Sequence, residues 1–133
     1  MLQELLDDLK ERHGRILLWD CHSIRHQVKG IHPEPFPDLI LGSADGKSAS
    51  NDLIESTVNE LSNSVYSFSH NYPFKGGYIT RNYGNPKLNV HALQLEMSKL
   101  LYMDDAEVLY DETRAEKVRS LLVSTLKKIT AFL

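Results

Sequence analysis

The stretch Ile16-Leu17-Leu18-Trp19-Asp20-Cys21-His22-Ser23 decides the fold class, because a short apolar run there ends in polar side chains. Such a run is typical of a buried strand. Leucines at positions 2, 5, 6 and 9 recur at helical spacing before it, and Gly14 is a typical helix stop. A helix, a tight turn and a buried strand in this order favour an α/β protein. In open α/β sheets, functional sites lie where strands end, and the polar residues occupy that position.

Three further stretches predict strands. These are residues 38–42, 65–68 and 90–96, and a β-rich segment covers residues 77–81. Strand alternation places Ala92, Gln94 and Glu96 on one side of the third stretch. A helical interpretation of it is also open, because the apolar residues from Leu93 to Leu101 recur at helical spacing. We favour a strand that ends near Glu96 and leads into a turn of helix.

Two more helices are predicted after the first strand. One begins near Asn51 or Asp52, where Asp52 and Glu55 match a capping box. The last begins where Thr113 and Glu116 match a second capping box, and an apolar face follows it. Strands that alternate with helices predict an α/β fold.

Composition narrows the class of protein. Of 133 residues, 41% are hydrophobic and 25% are charged, so we expect one domain over residues 1–133. The net charge is -3 and no basic cluster stands out, so we expect no nucleic-acid partner. No apolar run approaches the ~20 residues of a membrane span, so we expect no membrane partner. The one cysteine, Cys21, excludes an internal disulfide and indicates a reducing, cytoplasmic compartment.

Asp20 and His22 form the first candidate site. Strand positions two apart point to the same side, so the two side chains project together. Neutral imidazole is a common zinc ligand, and a nearby carboxylate fixes its tautomer. The alternative is a buried histidine whose hydrogen bonds go to backbone groups. Cys21 points to the opposite face, which argues against a Cys–His nucleophile.

Glu96 and the glycine-rich segment before it are the other candidates. A carboxylate on a half-apolar strand is partly desolvated, which raises its pKa toward the range of a general base. Gly76 and Gly77 let the backbone approach a ligand closely, and Arg81 suits a carboxylate in two-point contact. The alternatives are a solvated glutamate at a strand end and a tight turn with a surface arginine. Arg25 is a second candidate for the anchoring arginine.

Together these segments resemble the N-formylglutamate deformylase (N-formylglutamate amidohydrolase) family. The matching stretches occur in the family's order and are residues 18–23, 38–42 with Asp45-Gly46, 74–84, and 91–96 with Leu101-Tyr102-Met103. The resemblance implies a three-layer α/β sandwich similar to the zinc carboxypeptidases, with a mostly parallel or mixed sheet and helices on both faces. It implies hydrolysis of N-formyl-L-glutamate, or a related N-acyl amino acid, as the closing step of one histidine-degradation route.

The resemblance also implies roles for residues. His22 matches a zinc ligand, and Glu96 matches the carboxylate that takes a proton from water. Asp20 would orient His22. The resemblance does not assign the substrate-binding residues; from their chemistry, we expect the segment of Gly76, Gly77, Thr80 and Arg81, or else Arg25, to bind the substrate.

Full family members carry an N-terminal half with two further ligands, a His and a Glu, and this sequence lacks that half. We therefore expect a partial domain. It would be a truncated or split gene product, a fragment, or a degenerate relative that binds a small carboxylate or a partner chain without catalysis. A sheet without its neighbouring strands exposes an edge, which predicts self-association or a partner chain that covers it.

Overall fold

A four-stranded mixed sheet organises the computed structural model, which describes residues 1–133. The helices are α1 (Leu2–His13), α2 (Asn51–Ser62), α3 (Tyr78–Tyr83) and α4 (Glu112–Ile129), and the strands are β1 (Ile16–Ile24), β2 (Leu39–Gly42), β3 (Phe68–His70) and β4 (Val90–Ser98). The strand order is β1-β4-β2-β3. β1 runs parallel to β4, β2 runs antiparallel to β4, and β3 runs parallel to β2. The predicted α/β fold with a mixed sheet is confirmed.

Alternation along the strands divides the sheet into an apolar face and a polar face. The apolar face carries Leu39 and Leu41 of β2 and Leu93 and Leu95 of β4, and all four are fully buried. They form one core with residues of α2 and α4, including Ile54, Leu61 and Val118. Burying a leucine fully contributes about 1.5–3 kcal/mol, so this layer is the main source of stability. The helix α3 contacts β4 and β1.

The strand interpretation of residues 90–96 is confirmed, and the strand continues to Ser98 before the turn of helix at Lys99–Leu101. The third strand begins at Phe68 instead of residue 65. Ser67 explains the later start, because its backbone N–H and its hydroxyl both donate to the carboxylate of Asp38 at 2.9 Å.

The β-rich interpretation of residues 77–81 is wrong, because Tyr78–Tyr83 form α3. Tyr, Ile and Thr favour strands, but propensity yields to tertiary context. Here the Gly77 N–H donates to the Gln94 side chain at 2.6 Å, and Thr80 is fully buried. These contacts hold the segment against the sheet as a short helix.

The predictions of a capping box at the start of α2 and of α4 are also wrong. The N-cap of α2 is Ser50, and the carboxylate of Asp52 instead accepts from Arg15 at 3.0 Å. The N-cap of α4 is Asp111, whose carboxylate accepts from the Arg114 N–H at 3.0 Å. No helix is long and apolar enough to cross a bilayer.

Candidate functional site

The pairing of β1 with β4 sets the polar residues side by side. Asp20 is the register partner of Gln94, and His22 is the register partner of Glu96. Register partners on neighbouring strands point to the same face of a sheet. Two strands distant in sequence therefore present four polar side chains as two adjacent rows.

Asp20 and His22 project together, as predicted. The Nε2 atom of His22 lies 3.0 Å from Oδ1 of Asp20. The Asp20 side chain is only 13% exposed, whereas that of His22 is 47% exposed. In the neutral tautomer that donates to Asp20 from Nε2, the Nδ1 lone pair stays free, so His22 is suited to bind a metal through Nδ1.

Glu96 is half-buried beside this pair. Burial raises the pKa of Glu96 above its ordinary value, the neighbouring His22 lowers it, and the charge of Asp20 raises it again. Burial has the largest of these three effects on the pKa of Glu96. Glu96 is therefore easier to protonate than a solvated glutamate, which suits a group that accepts and then releases a proton.

A glycine-rich segment, Lys75–Gly77, lies across the end of β2 at Gly42 and the middle of β4 at Gln94. The Gly77 N–H donates to Oε1 of Gln94 at 2.6 Å, and the Ala44 N–H donates to the Lys75 carbonyl at 2.7 Å. Gly42 makes this close approach possible, since a Cβ there would lie 2.4 Å from the Gly76 nitrogen. Gly76 itself has φ of 107°, which favours glycine.

The segment encloses a cleft of about 390 Å³ with Glu96 in its wall. The lining residues are Pro73, Phe74, Lys75, Gly76, Gly77, Arg81, Gln94 and Glu96. The structure thus brings four of the predicted residues together: Glu96, Arg81, Gly76 and Gly77. The Arg81 guanidinium donates to the Gly76 carbonyl and forms no ion pair, so it retains donors for an anion.

Two predicted substrate-binding residues lie elsewhere. Thr80 is fully buried beneath the glycines, with its side chain 2.9 Å from where a Cβ on Gly76 would lie. Its hydroxyl has no hydrogen-bond partner. Arg25 is exposed just after β1 and does not line the cleft.

A second cavity of about 300 Å³ adjoins this cleft. Its lining residues are Ala44, Asp45, Lys47, Ser48, Lys75, Arg81 and Gly84. Lys75 and Arg81 line both spaces. Lys75 also pairs with Asp45 at 3.0 Å, which joins the glycine-rich segment to the loop after β2.

These 133 residues do not supply a complete set of metal ligands. No group of three or more His, Cys, Asp and Glu side chains could hold a metal ion. A catalytic zinc typically has three protein ligands, so His22 fits as one contributor. Partial desolvation has the largest effect on the exposed Cys21 and raises the pKa of its thiol, a hydrogen bond with Trp19 lowers it, and the charge of Asp20 raises it. The net rise disfavours the thiolate.

Three residues of this region were not predicted as site residues. Gln94 anchors the glycine-rich segment, Gly42 makes room for it, and Lys47 lines the second cavity. The signal for Gln94 was its position two residues before Glu96, on the same face of an otherwise apolar strand. Gly42 and Lys47 gave no comparable signal in the sequence.

Fold and site together define a mixed α/β protein with a histidine–carboxylate pair on one sheet face, beside a cleft that contains arginine. A sequence profile described as N-formylglutamate amidohydrolase matches residues 1–103. The chain belongs to the N-formylglutamate amidohydrolase family.

Individual relatives agree with this assignment. The chain is 37% identical to an N-formylglutamate deformylase of Pseudomonas putida over 133 residues, which is 98% of this chain and 50% of the relative. It is also 37% identical to an N-formylglutamate deformylase of Pseudomonas aeruginosa over 134 residues, with the same coverage. A crystal structure of N-formylglutamate amidohydrolase from Ralstonia eutropha JMP134 superposes with a TM-score of 0.83 at 26% identity, over 98% of this chain and 48% of that chain. The chain spans about half the length of these relatives.

Proposed function

We propose that this chain carries part of the active site of a zinc-dependent amidohydrolase that hydrolyses N-formyl-L-glutamate to formate and glutamate. The observation that supports it best is the register of β1 with β4, which sets His22 directly beside Glu96. The relatives' names supply the substrate.

The roles of the residues follow from their positions. Zinc, when bound, polarises the formyl oxygen and acidifies water. His22 contributes one ligand, and Asp20 holds its ring in one orientation. Glu96 takes a proton from the attacking water and gives it to the leaving nitrogen; burial, which raises its pKa, makes it a stronger base for the first step. Arg81 binds a carboxylate of the substrate and holds the amide near Glu96.

The other metal ligands would come from a segment outside these 133 residues, on the same polypeptide or on another. The outer edge of β1 is the proposed docking place, because β1 is a nine-residue edge strand that carries Asp20 and His22. The relatives are about twice as long as this chain, so in them a further segment of similar length is present that could supply such ligands. A strand added at this edge would satisfy the free backbone groups of β1 and place its own side chains beside His22.

The first experiment measures zinc content and formate release for the wild type, His22→Ala and Glu96→Gln. We expect His22→Ala to lose zinc and activity. Glu96→Gln should keep zinc and lose about 10²–10⁴-fold in rate. His13→Ala is the matched control, since His13 lies at the exposed end of α1. Formate release that survives in either site variant would contradict the assigned roles.

Light scattering during size-exclusion chromatography tests the docking place. We expect self-association, or a complex with a polypeptide that supplies the rest of the domain. A stable monomer that nevertheless releases formate would refute the need for a covered edge.

A non-catalytic role is the second candidate, and the absence of a three-residue metal group favours it. In that case the chain binds a small carboxylate or a partner chain. Zinc-independent binding of N-formyl-L-glutamate, without formate release in any assembly, would identify this role.

A further inference from the structure

The second cavity, between the loop after β2 and α3, is rich in positive charge. Lys47, Lys75 and Arg81 line it, and Asp45 is the one carboxylate. Asp45 is already paired with Lys75 at 3.0 Å. Lys47 and Arg81 are exposed, line this space and form no ion pair with any residue of the chain, so two of its cations lack a counter-charge.

The backbone holds Lys47 at this position. Its N–H donates to the Ser43 carbonyl at 3.0 Å, and the next residue, Ser48, is buried with its hydroxyl donating to the Ala92 carbonyl at 2.6 Å. The exposed side chain of Lys47 therefore extends from a fixed turn next to β4. A cation on a fixed backbone binds an anion at a smaller entropic cost than one on a mobile loop.

The cleft and the second cavity adjoin each other at Arg81, which lines both. The first contains Glu96, and the second contains Lys47 but not Glu96. In an N-acyl dicarboxylic amino acid, the α-carboxylate lies close to the amide that is cleaved, and the side-chain carboxylate lies farther away. A substrate with its amide at Glu96 and its α-carboxylate at Arg81 would extend its second carboxylate into the space around Lys47.

We propose that this second cavity binds the side-chain carboxylate of a dicarboxylic N-acyl amino acid, and that Lys47 determines the preference for it over a neutral side chain. The inference rests on the proposed function for the placement of the amide. It assigns Lys47 a binding role, since the ammonium would contact the substrate directly.

Ligand titrations followed by NMR spectroscopy of the ¹⁵N-labelled full chain test this without requiring turnover. The probes are N-formyl-L-glutamate and N-formyl-L-glutamine, which differ in the charge of the side chain. Lys47→Gln should weaken binding of N-formyl-L-glutamate about tenfold, the typical effect of one charge-assisted hydrogen bond. It should change binding of N-formyl-L-glutamine less than about twofold, and Lys47→Arg should restore most of the preference.

Lys87→Gln is the matched control, because Lys87 is exposed and lies in neither cavity. Equal weakening of both ligands by Lys47→Gln, no weakening of either, or no binding by the wild type would overturn the proposal. If Lys47→Gln weakens binding of N-formyl-L-glutamate alone and the chain releases no formate, the result would support the cavity's role and contradict the proposed hydrolysis. Failure of the binding proposal and failure of the proposed hydrolysis are therefore distinguishable.

Discussion

Replacing Gly42 by alanine should both destabilise the protein and displace the glycine-rich segment from the sheet. The new Cβ would lie 2.4 Å from the Gly76 nitrogen and 2.7 Å from the Lys75 carbonyl carbon. Relieving these contacts requires a displacement of about 1 Å, since non-bonded heavy atoms prefer about 3.5 Å or more. Overpacking of this kind costs about 1–3 kcal/mol. Loss of the Gly77–Gln94 hydrogen bond adds about 1 kcal/mol, so we expect a total of about 2–4 kcal/mol.

Urea denaturation and thermal melting measure this cost. For a chain of this size the melting temperature should fall by about 6–15 °C. Gly30→Ala is the matched control, because a Cβ at Gly30 meets nothing within 4 Å and its φ is not positive. That variant should be unchanged or stabilised by up to about 1 kcal/mol. If Gly42→Ala stays within about 0.5 kcal/mol of the wild type, the segment does not rest on β2 as described.

Three further predictions concern the pKa of Glu96, the pH dependence of stability and helix capping. Asp20→Asn should lower the pKa of Glu96, and His22→Ala should raise it, as read by ¹³C NMR titration of the carboxyl; shifts of the opposite sign would contradict the arrangement. Because the folded-state pKa of Glu96 is raised, protonation of Glu96 favours folding, and its contribution to stability is lost as pH rises through that pKa. Glu96→Gln should therefore increase stability at neutral pH relative to the wild type, with a smaller gain at acidic pH. Asp111→Ala should destabilise α4 by about 1 kcal/mol in urea denaturation, whereas Thr113→Ala, which removes no cap, should change little.

Most of the architecture was predictable from local pattern. The strands that carry His22 and Glu96 run apolar or alternate as strands do, although the spacing after Leu93 also fits a helix, and Gly14 ends α1 as expected, with φ of 77°. The largest error is the β-rich interpretation of residues 77–81. Tyr78 to Arg81 prefer strands locally, yet the long-range contacts of Gly77 and Thr80 impose a helix.

The individual residues of the site were predictable from the sequence, but their positions relative to one another across strands and loops were not. Alternation places Asp20 beside His22, because that relation is local. The alignment of His22 with Glu96 depends on strand register, and nothing in either strand alone specifies the register of a partner so distant in sequence. Lys47 was not identified for the same reason, since its proximity to Arg81 arises only when two loops meet.

The β1–β4 pair has a consequence for how the molecule folds. Ile16 pairs with Val90 and Ile24 with Ser98, so the parallel ladder joins two segments that are far apart in the sequence. Closing a loop of that length costs entropy before the paired strands gain any stabilisation, so we expect this pairing to slow folding. His22 and Glu96 come together in that same event. Any partly folded form in which β1 and β4 are not paired therefore has His22 and Glu96 apart.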